Sequence, residues 1–258
     1  MRLSAVIITW NEEHVLPGCL QRLVGLVDEV VVVDTGSTDR TVEIARAAGA
    51  RVERVPWKGF SAAREAALAQ AGGDWVLAID ADECVTPALA DEIRRVLHTD
   101  VRVDGFEIRM AVMFLGQELR HGRLGRDWHL RLVRRGRYRV VPRPIHEHLE
   151  VTGPTARLDA PLEHHTAASL SRYAEKIEWY AALRAEQFAE RGVRYRWWDA
   201  LRLPLVFAWR AVFGLHVLDG GLGLVWAAGS AYSSWRKRDL LRRPRSTWPV
   251  RRVPESAK

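Results

Sequence analysis

The feature that most constrains this chain is an alternation in its first hundred residues. Short continuous apolar runs are each followed by a segment of helical period. Leu3–Thr9 and Trp75–Asp80 are apolar over most of their length, and Glu29–Asp34 carries four consecutive valines. A run without polar alternation is a strand buried on both faces. Residues 15–26, 40–48, 61–71 and 86–97 repeat apolar side chains at helical spacing, with Pro87 in the first turn of the last. Residues 51–55 supply a further short strand. This order predicts an α/β fold with a mostly parallel central sheet and helices on both faces.

Beyond residue 100 the pattern changes. Residues 106–113 and 129–133 read as strands, with Tyr138–Val141 and residues 162–165 as weaker ones. Ser169 is placed to cap a helix that stops at Gly192, with Leu170, Tyr173, Ile177, Tyr180 and Phe188 on one face. Residues 197–235 are apolar and rich in tryptophan, but Arg202, Arg210 and Asp219 interrupt them. A spanning helix needs about 20 apolar residues, so two helices, packed or side by side, are expected here as a membrane-associating appendage.

Charge is localised. The chain of 258 residues carries a net +7, and residues 234–258 hold nine basic residues against Asp239 and Glu255. The remainder is balanced. A basic tail of this kind points to an anionic surface, membrane or nucleic acid. Cys19 and Cys84 are too few for a disulfide scaffold or an all-cysteine zinc site. The first apolar run ends at Asn11, Glu12 and Glu13, too short for a signal segment, and is expected as a strand.

Two acidic clusters stand where an open α/β sheet places ligands, outside the carboxyl ends of strands. One is VVVDTGSTDR, with Asp34 closing a buried strand. The other is AIDADE, with Asp80 and Asp82. No glycine-rich dinucleotide fingerprint follows the first strand, and no Walker A motif is present. Asp80 and Asp82 are two residues apart, so in an extended segment both project to one side. Two hard carboxylates suit Mg²⁺ or Mn²⁺, which in turn hold a diphosphate. Asp34 can accept hydrogen bonds from a base or ribose. Gly36 permits a tight turn, and Ser37 and Asp39 can cap the helix that starts near Arg40. Either cluster alone is commonly just a helix cap. Both together, in order on successive units of one sheet, are a stronger signal. His146, His148, His164 and His165 form a histidine group without the cysteines or HExxH helix of a zinc site. Cys84 reads as a packed side chain rather than a nucleophile.

With these motifs the chain resembles the family 2 glycosyltransferases of the GT-A fold. The segments AVIITWNEE, VVVDTGSTDRTVEIA, GARV and DWVLAIDADE carry the likeness. PWKGFSAAREAAL, RHGRLGRDWHLRLVRR, IHEHLEVTG and LEHHTAASLSRYAEKIEWYA are similar, more narrowly, to the lipopolysaccharide-core branch that includes the heptose β-1,4-glucosyltransferase. Two departures stand out. Glu65 follows Arg64 where the family commonly has Asn, and residues 121–127 differ from the branch's usual HGGWYPD. The resemblance implies a catalytic domain over residues 1–168, with a nucleotide-sugar half (1–100) and an acceptor half (101–168). A helical region (169–235) and a basic tail (236–258) follow. It also implies an inverting transfer from a nucleoside diphosphate sugar, expected to be a UDP-hexose such as UDP-glucose. Thr9, Glu12, Asp34, Ser37, Arg64 and Asp80 would bind the nucleotide sugar. Asp82, with Asp80, would hold Mg²⁺ or Mn²⁺. Glu147 is the first choice of base and Asp127 the second. His146 would orient Glu147 or close over the diphosphate, and Arg131 could meet an acceptor phosphate. The implied acceptor is a lipopolysaccharide-core or other lipid-linked glycan. The implied place is the inner face of the cell membrane, held peripherally, with no nucleic acid bound. Two rivals are a sugar-phosphate nucleotidyltransferase, which favours a glycine-rich basic loop that residues 11–16 lack, and a non-enzymatic module binding nucleic acid or membrane through the basic tail.

Overall fold

The computed structural model describes residues 1–99, 102–141, 148–167 and 169–249. Four parallel strands form one half of its main sheet: β1 (Leu3–Thr9), β2 (Glu29–Asp34), β3 (Arg51–Arg54) and β4 (Trp75–Asp80). The helices α1 (Leu16–Leu23), α2 (Thr41–Ala47) and α3 (Phe60–Ala69) make the crossovers between them. Their register fixes the site. Thr9 pairs with Asp34 and Ile8 with Asp80, so both acidic clusters leave the sheet at one carboxyl edge.

The alternation of side chains along β1 splits the core in two. Leu3, Ala5 and Ile7 join α1 and α4 (Pro87–Leu97) on one face, and Val6 joins Ala67 and Leu68 of α3 on the other. Helices therefore cover both faces, as expected. Thr86 caps α4 by accepting from the Leu89 amide at 3.1 Å.

The sheet is mixed rather than mostly parallel. Its order is β3-β2-β1-β4, then β8 (Trp128–Arg134), β6 (Gly105–Phe114), β11 (Thr155–Ala167) and β5 (Glu83–Val85), with β7 (Gln117–Leu119) also on β6. β8 is antiparallel to both β4 and β6, and β7 is antiparallel to β6. For β6 and β7 the cause is connection length. A parallel pair needs a crossover of a dozen or more residues, and β6 turns into β7 through Leu115 and Gly116 alone. The weak candidate at 162–165 is part of the 13-residue strand β11. Tyr138–Val141 is β9, paired antiparallel with β10 (His148–Val151) in a second, two-stranded sheet.

The chain divides into two compact units. Of the described residues, those within 1–111 and 127–165 form the first, and those within 112–126 and 166–249 the second. In the second, Phe114, Tyr173 and Trp226 pack together, Tyr173 and Trp226 being stacked at 5.5 Å. Ser169 caps α5 (Leu170–Glu190) through the Arg172 amide. On α5, Ala181, Ala182 and Ala185 are buried and Tyr173 joins the aromatic cluster, while Leu170 is exposed. The small residues let Leu240 and Trp248 approach closely. The apolar stretch forms α6 (Arg202–Ala208), continued by a short π-helical turn, and α7 (Gly220–Asp239), which packs against α6. Among the described residues no single helix is long and apolar enough to cross a membrane. The pair Trp197–Phe213 and His216–Arg242, bent by 74°, meets that test jointly by length and composition. The basic run does not begin where the fold ends: Asp239 is fully buried and accepts from Arg236, Arg242 and Arg243 at 2.7–2.9 Å.

Candidate active site

The Asp34 cluster is a closed loop of hydrogen bonds. Asp34 has no exposed surface. It accepts from the amides of Gly36 (3.2 Å) and Ser37 (3.1 Å), from the Ser37 hydroxyl, and from Thr9 Oγ1 at 3.4 Å. Gly36 has φ +105°, a conformation that excludes an ordinary side chain. Ser37 does not cap α2. Its hydroxyl accepts from the Asn11 amide (2.8 Å), tying the loop after β1 to the loop after β2. Asp39 accepts from the Thr41 amide at 3.0 Å in the turn that leads into α2, whose N-cap residue, Arg40, makes no side-chain cap bond. The Glu12 amide donates to Thr41 Oγ1 (2.8 Å), and the Glu12 carbonyl accepts from the Leu16 amide as α1 begins. Thr9, Glu12, Asp34 and Ser37 are thus assembled into one rigid rim at the sheet edge.

The second cluster is built from three strands, β4, β5 and β8, and the helix α3. Arg64 lies in α3 and is 2% exposed. It donates to the Ile79 carbonyl at 3.0 Å and to Asp80. Arg131, from β8, donates to the other Asp80 oxygen at 3.1 Å and to Glu83. The Asp80 amide donates to Glu83 Oε2 at 2.9 Å. Two carboxylates therefore share two guanidiniums. Burial raises the Asp80 carboxyl, but Arg64 and then Arg131 outweigh it and bring it down to about 2. Burial pushes Glu83 above the usual carboxylate range, against the pull of Arg131. Arg131 is turned inward to this cluster, away from the acceptor-facing role expected of it.

Asp82 projects beyond the cluster. Its carboxylate lies 3.3 Å from His164 Nε2. The pairing of β5 with β11 sets His164 opposite Glu83, and the His165 amide donates to the Asp82 carbonyl at 2.8 Å. Some 80 residues separate the two side chains in sequence, so only the fold joins them. Among the described residues no group of three or more His, Cys, Asp or Glu forms a metal cluster. Mg²⁺ at phosphate sites is commonly held by one or two protein carboxylates plus substrate oxygens, so Asp82 with His164 remains a chemically fitting pair. Asp127 is partly exposed, 3.2 Å from His129. Glu147 and His146 lie outside the described residues. Cys84 is buried and its thiol is raised to about 11, first by burial, which suits packing and not nucleophilic attack. Beside the acidic cluster, Arg64, Glu107, Trp128, His129, Arg131 and His148 line a cavity of about 150 Å³.

The family model for "Glycosyl transferase family 2" matches residues 4–146, which contain both clusters. The chain belongs to glycosyl transferase family 2. It is therefore an enzyme of the glycosyltransferase class with a GT-A-like fold, and the nucleotidyltransferase and non-enzymatic readings fall. Among curated relatives, the lipopolysaccharide core biosynthesis glycosyltransferase LpsC of Rhizobium meliloti is 28% identical over 94% of this chain and 95% of its own length. An uncharacterised glycosyltransferase of Rickettsia typhi is 38% identical over 45% of this chain, which spans only 41% of that relative. Among solved structures, glucosyl-3-phosphoglycerate synthase from Mycobacterium tuberculosis, in complex with Mn²⁺, UDP and glucosyl-3-phosphoglycerate, is 31% identical over 43% of this chain and 44% of that one, with a TM-score of 0.37.

Glu83 and His164 are the site residues that sequence reasoning did not assign. Glu83 sits inside the AIDADE motif, where its burial is the missing information. His164 carried only the weak signal of a histidine pair.

Proposed function

We propose that this enzyme transfers a hexose, with UDP-glucose the first donor to test, from a nucleoside diphosphate sugar to a lipopolysaccharide-core or other lipid-linked glycan, with inversion. The observation that carries this reading is the convergence at one sheet edge of the Asp34 rim and the Asp80–Asp82 cluster. The rim presents polar groups that a nucleoside could meet. Asp80, kept ionised by Arg64 and Arg131, is an acceptor for ribose hydroxyls. Asp82 and His164 would hold Mg²⁺ or Mn²⁺, which supplies positive charge for the departing diphosphate. Arg64 and Arg131 add fixed cations on the same side. The base that takes the acceptor proton is Glu147, with Asp127 as the second choice. The likeness to LpsC over nearly the whole chain favours a core-glycan acceptor.

The acceptor's lipid end places the reaction at a membrane. Trp197, Leu205, Trp209 and Phe213 are 61–74% exposed on one short segment. The basic run follows it. Together they favour peripheral attachment to the inner leaflet, since interfacial burial and basic residues act additively.

The test incubates the full chain with Mn²⁺ or Mg²⁺, a panel of UDP-sugars and core-oligosaccharide acceptors, and follows nucleotide release and product mass. Transfer that is lost with EDTA and in Asp82→Ala supports the reading. Equal transfer by Asp82→Ala at saturating metal refutes the metal assignment, and no release with any donor refutes the donor class.

A further inference from the structure

A second cavity lies outside the site above, wholly within the second unit. It encloses about 590 Å³ between the chain after α5 and the end of α7. Its lining includes Arg194, Tyr195, Arg196, Trp198, Arg202 and Arg238. One acid, Asp199, also lines it, and that carboxylate is already engaged by Arg202 at 2.7 Å and by the Arg196 amide at 2.9 Å. Arg194 and Arg238 have no ion-pair partner among the described residues. The Arg238 guanidinium stacks over Phe188 at 4.4 Å, and its Nε is buried without a hydrogen-bond partner. A buried donor left without an acceptor is costly unless a ligand supplies one. Positive charge is crowded here well beyond the cavity. The Lys237 ammonium is held below its ordinary value by burial and then by Arg184, Arg202, Arg238 and Arg210.

The cavity's neighbours in sequence are apolar and exposed. Trp197 is 74% exposed, Trp198 45% and Leu201 49%. An arginine-lined pocket beside exposed tryptophans matches an amphiphile: guanidiniums fit phosphate oxygens bidentately, and the indoles sit at the boundary of headgroup and acyl chain. We propose that this cavity is a binding site for the phosphate headgroup of an anionic lipid, separate from the nucleotide-sugar site. The proposal rests on the membrane attachment argued above but not on the transfer chemistry. It narrows that attachment from diffuse charge to a built site, in which Arg238 Nε receives the acceptor it lacks.

The experiment uses the full chain and vesicles of phosphatidylcholine alone, or with one-fifth phosphatidic acid or the same charge as phosphatidylserine. Arg194→Gln/Arg196→Gln is the main variant because both side chains are exposed and their loss leaves the fold intact, which thermal melting checks. Arg238→Lys keeps the charge and removes Nε. Arg243→Gln/Arg245→Gln removes equal charge outside the cavity, and because Arg243 also binds Asp239, thermal melting checks this variant too. The site predicts preference for phosphatidic acid and roughly tenfold or greater weakening in Arg194→Gln/Arg196→Gln. It predicts weakening in Arg238→Lys and a smaller effect of Arg243→Gln/Arg245→Gln. Equal weakening by both double variants, with no headgroup preference, overturns the site and leaves general membrane attachment standing. Binding to no vesicle overturns both. Saturable binding of inorganic diphosphate, lost in Arg194→Gln/Arg196→Gln while vesicles are ignored, assigns the cavity to a soluble phosphate and overturns the lipid. Transfer activity measured on a soluble acceptor is unchanged in every variant if the two sites are separate.

Discussion

Arg131→Met is the sharpest test of how the acidic cluster is held. Arg131 is 14% exposed and bridges Asp80 and Glu83, of which Glu83 is only 1% exposed. Its removal leaves Asp80 with Arg64, but leaves Glu83 with no guanidinium and only the Asp80 amide as a described donor. Breaking a buried pair by removing one partner costs about 3–5 kcal/mol, because the remaining charge stays desolvated. Methionine roughly keeps the volume, so little of the loss comes from a cavity. For a chain of this size each kcal/mol moves the midpoint by about 2–4 °C, so a fall of roughly 6–20 °C is expected in the transition of the first unit. Calorimetry and urea unfolding measure it, with Glu83→Gln and the double variant completing a cycle. Neutralising Glu83 in the Arg131→Met background is expected to recover at least about 1 kcal/mol, since the orphaned charge is gone. A loss under about 1 kcal/mol in Arg131→Met, or a double variant no more stable than it, would refute the shared-cation account.

Gly122 has φ +65°, and a Cβ there would lie 2.0 Å from the Gly214 carbonyl oxygen; Gly122→Ala is expected to cost roughly 2 kcal/mol or more, seen as faster proteolysis of the second unit, and unchanged protection would contradict that packing. Glu147→Gln is expected to retain donor binding by calorimetry and lose about 10²–10⁴-fold in turnover; if Asp127→Asn loses it instead, Asp127 is the base. Burial raises the Asp239 carboxyl, but Arg242 and Arg243 outweigh it and hold it below its unfolded value. Its contribution is then present above an unfolded pKa of about 3.9 and lost as pH falls through the lower folded value. Asp239→Asn should flatten the decline in stability below about pH 4; an unchanged slope in urea unfolding across pH 3–6 would count against it.

The four valines of β2, the apolar runs of β1 and β4, and the caps at Ser169 and Thr86 determine their elements locally, because burial on both faces and an orphan amide leave a mark at the residue itself. The two acidic clusters were legible for the same reason: each closes a buried strand. Three things were not. Strand direction after β4 depends on which strand edge a later segment finds, so a sheet that looked mostly parallel is mixed. The inward turn of Arg131 and the burial of Glu83 depend on β8 pairing with β4 and β5 with β11, and no period in the sequence encodes those pairings. His164 reaches Asp82 because β11 pairs with β5 at one register, where a slip of a single residue would turn His164 to the other face. Sequence alone determined that the Asp34 and Asp80–Asp82 carboxylates close buried strands; tertiary structure added Glu83 and His164 and decided which groups share charge, because pairing across strands is a non-local choice.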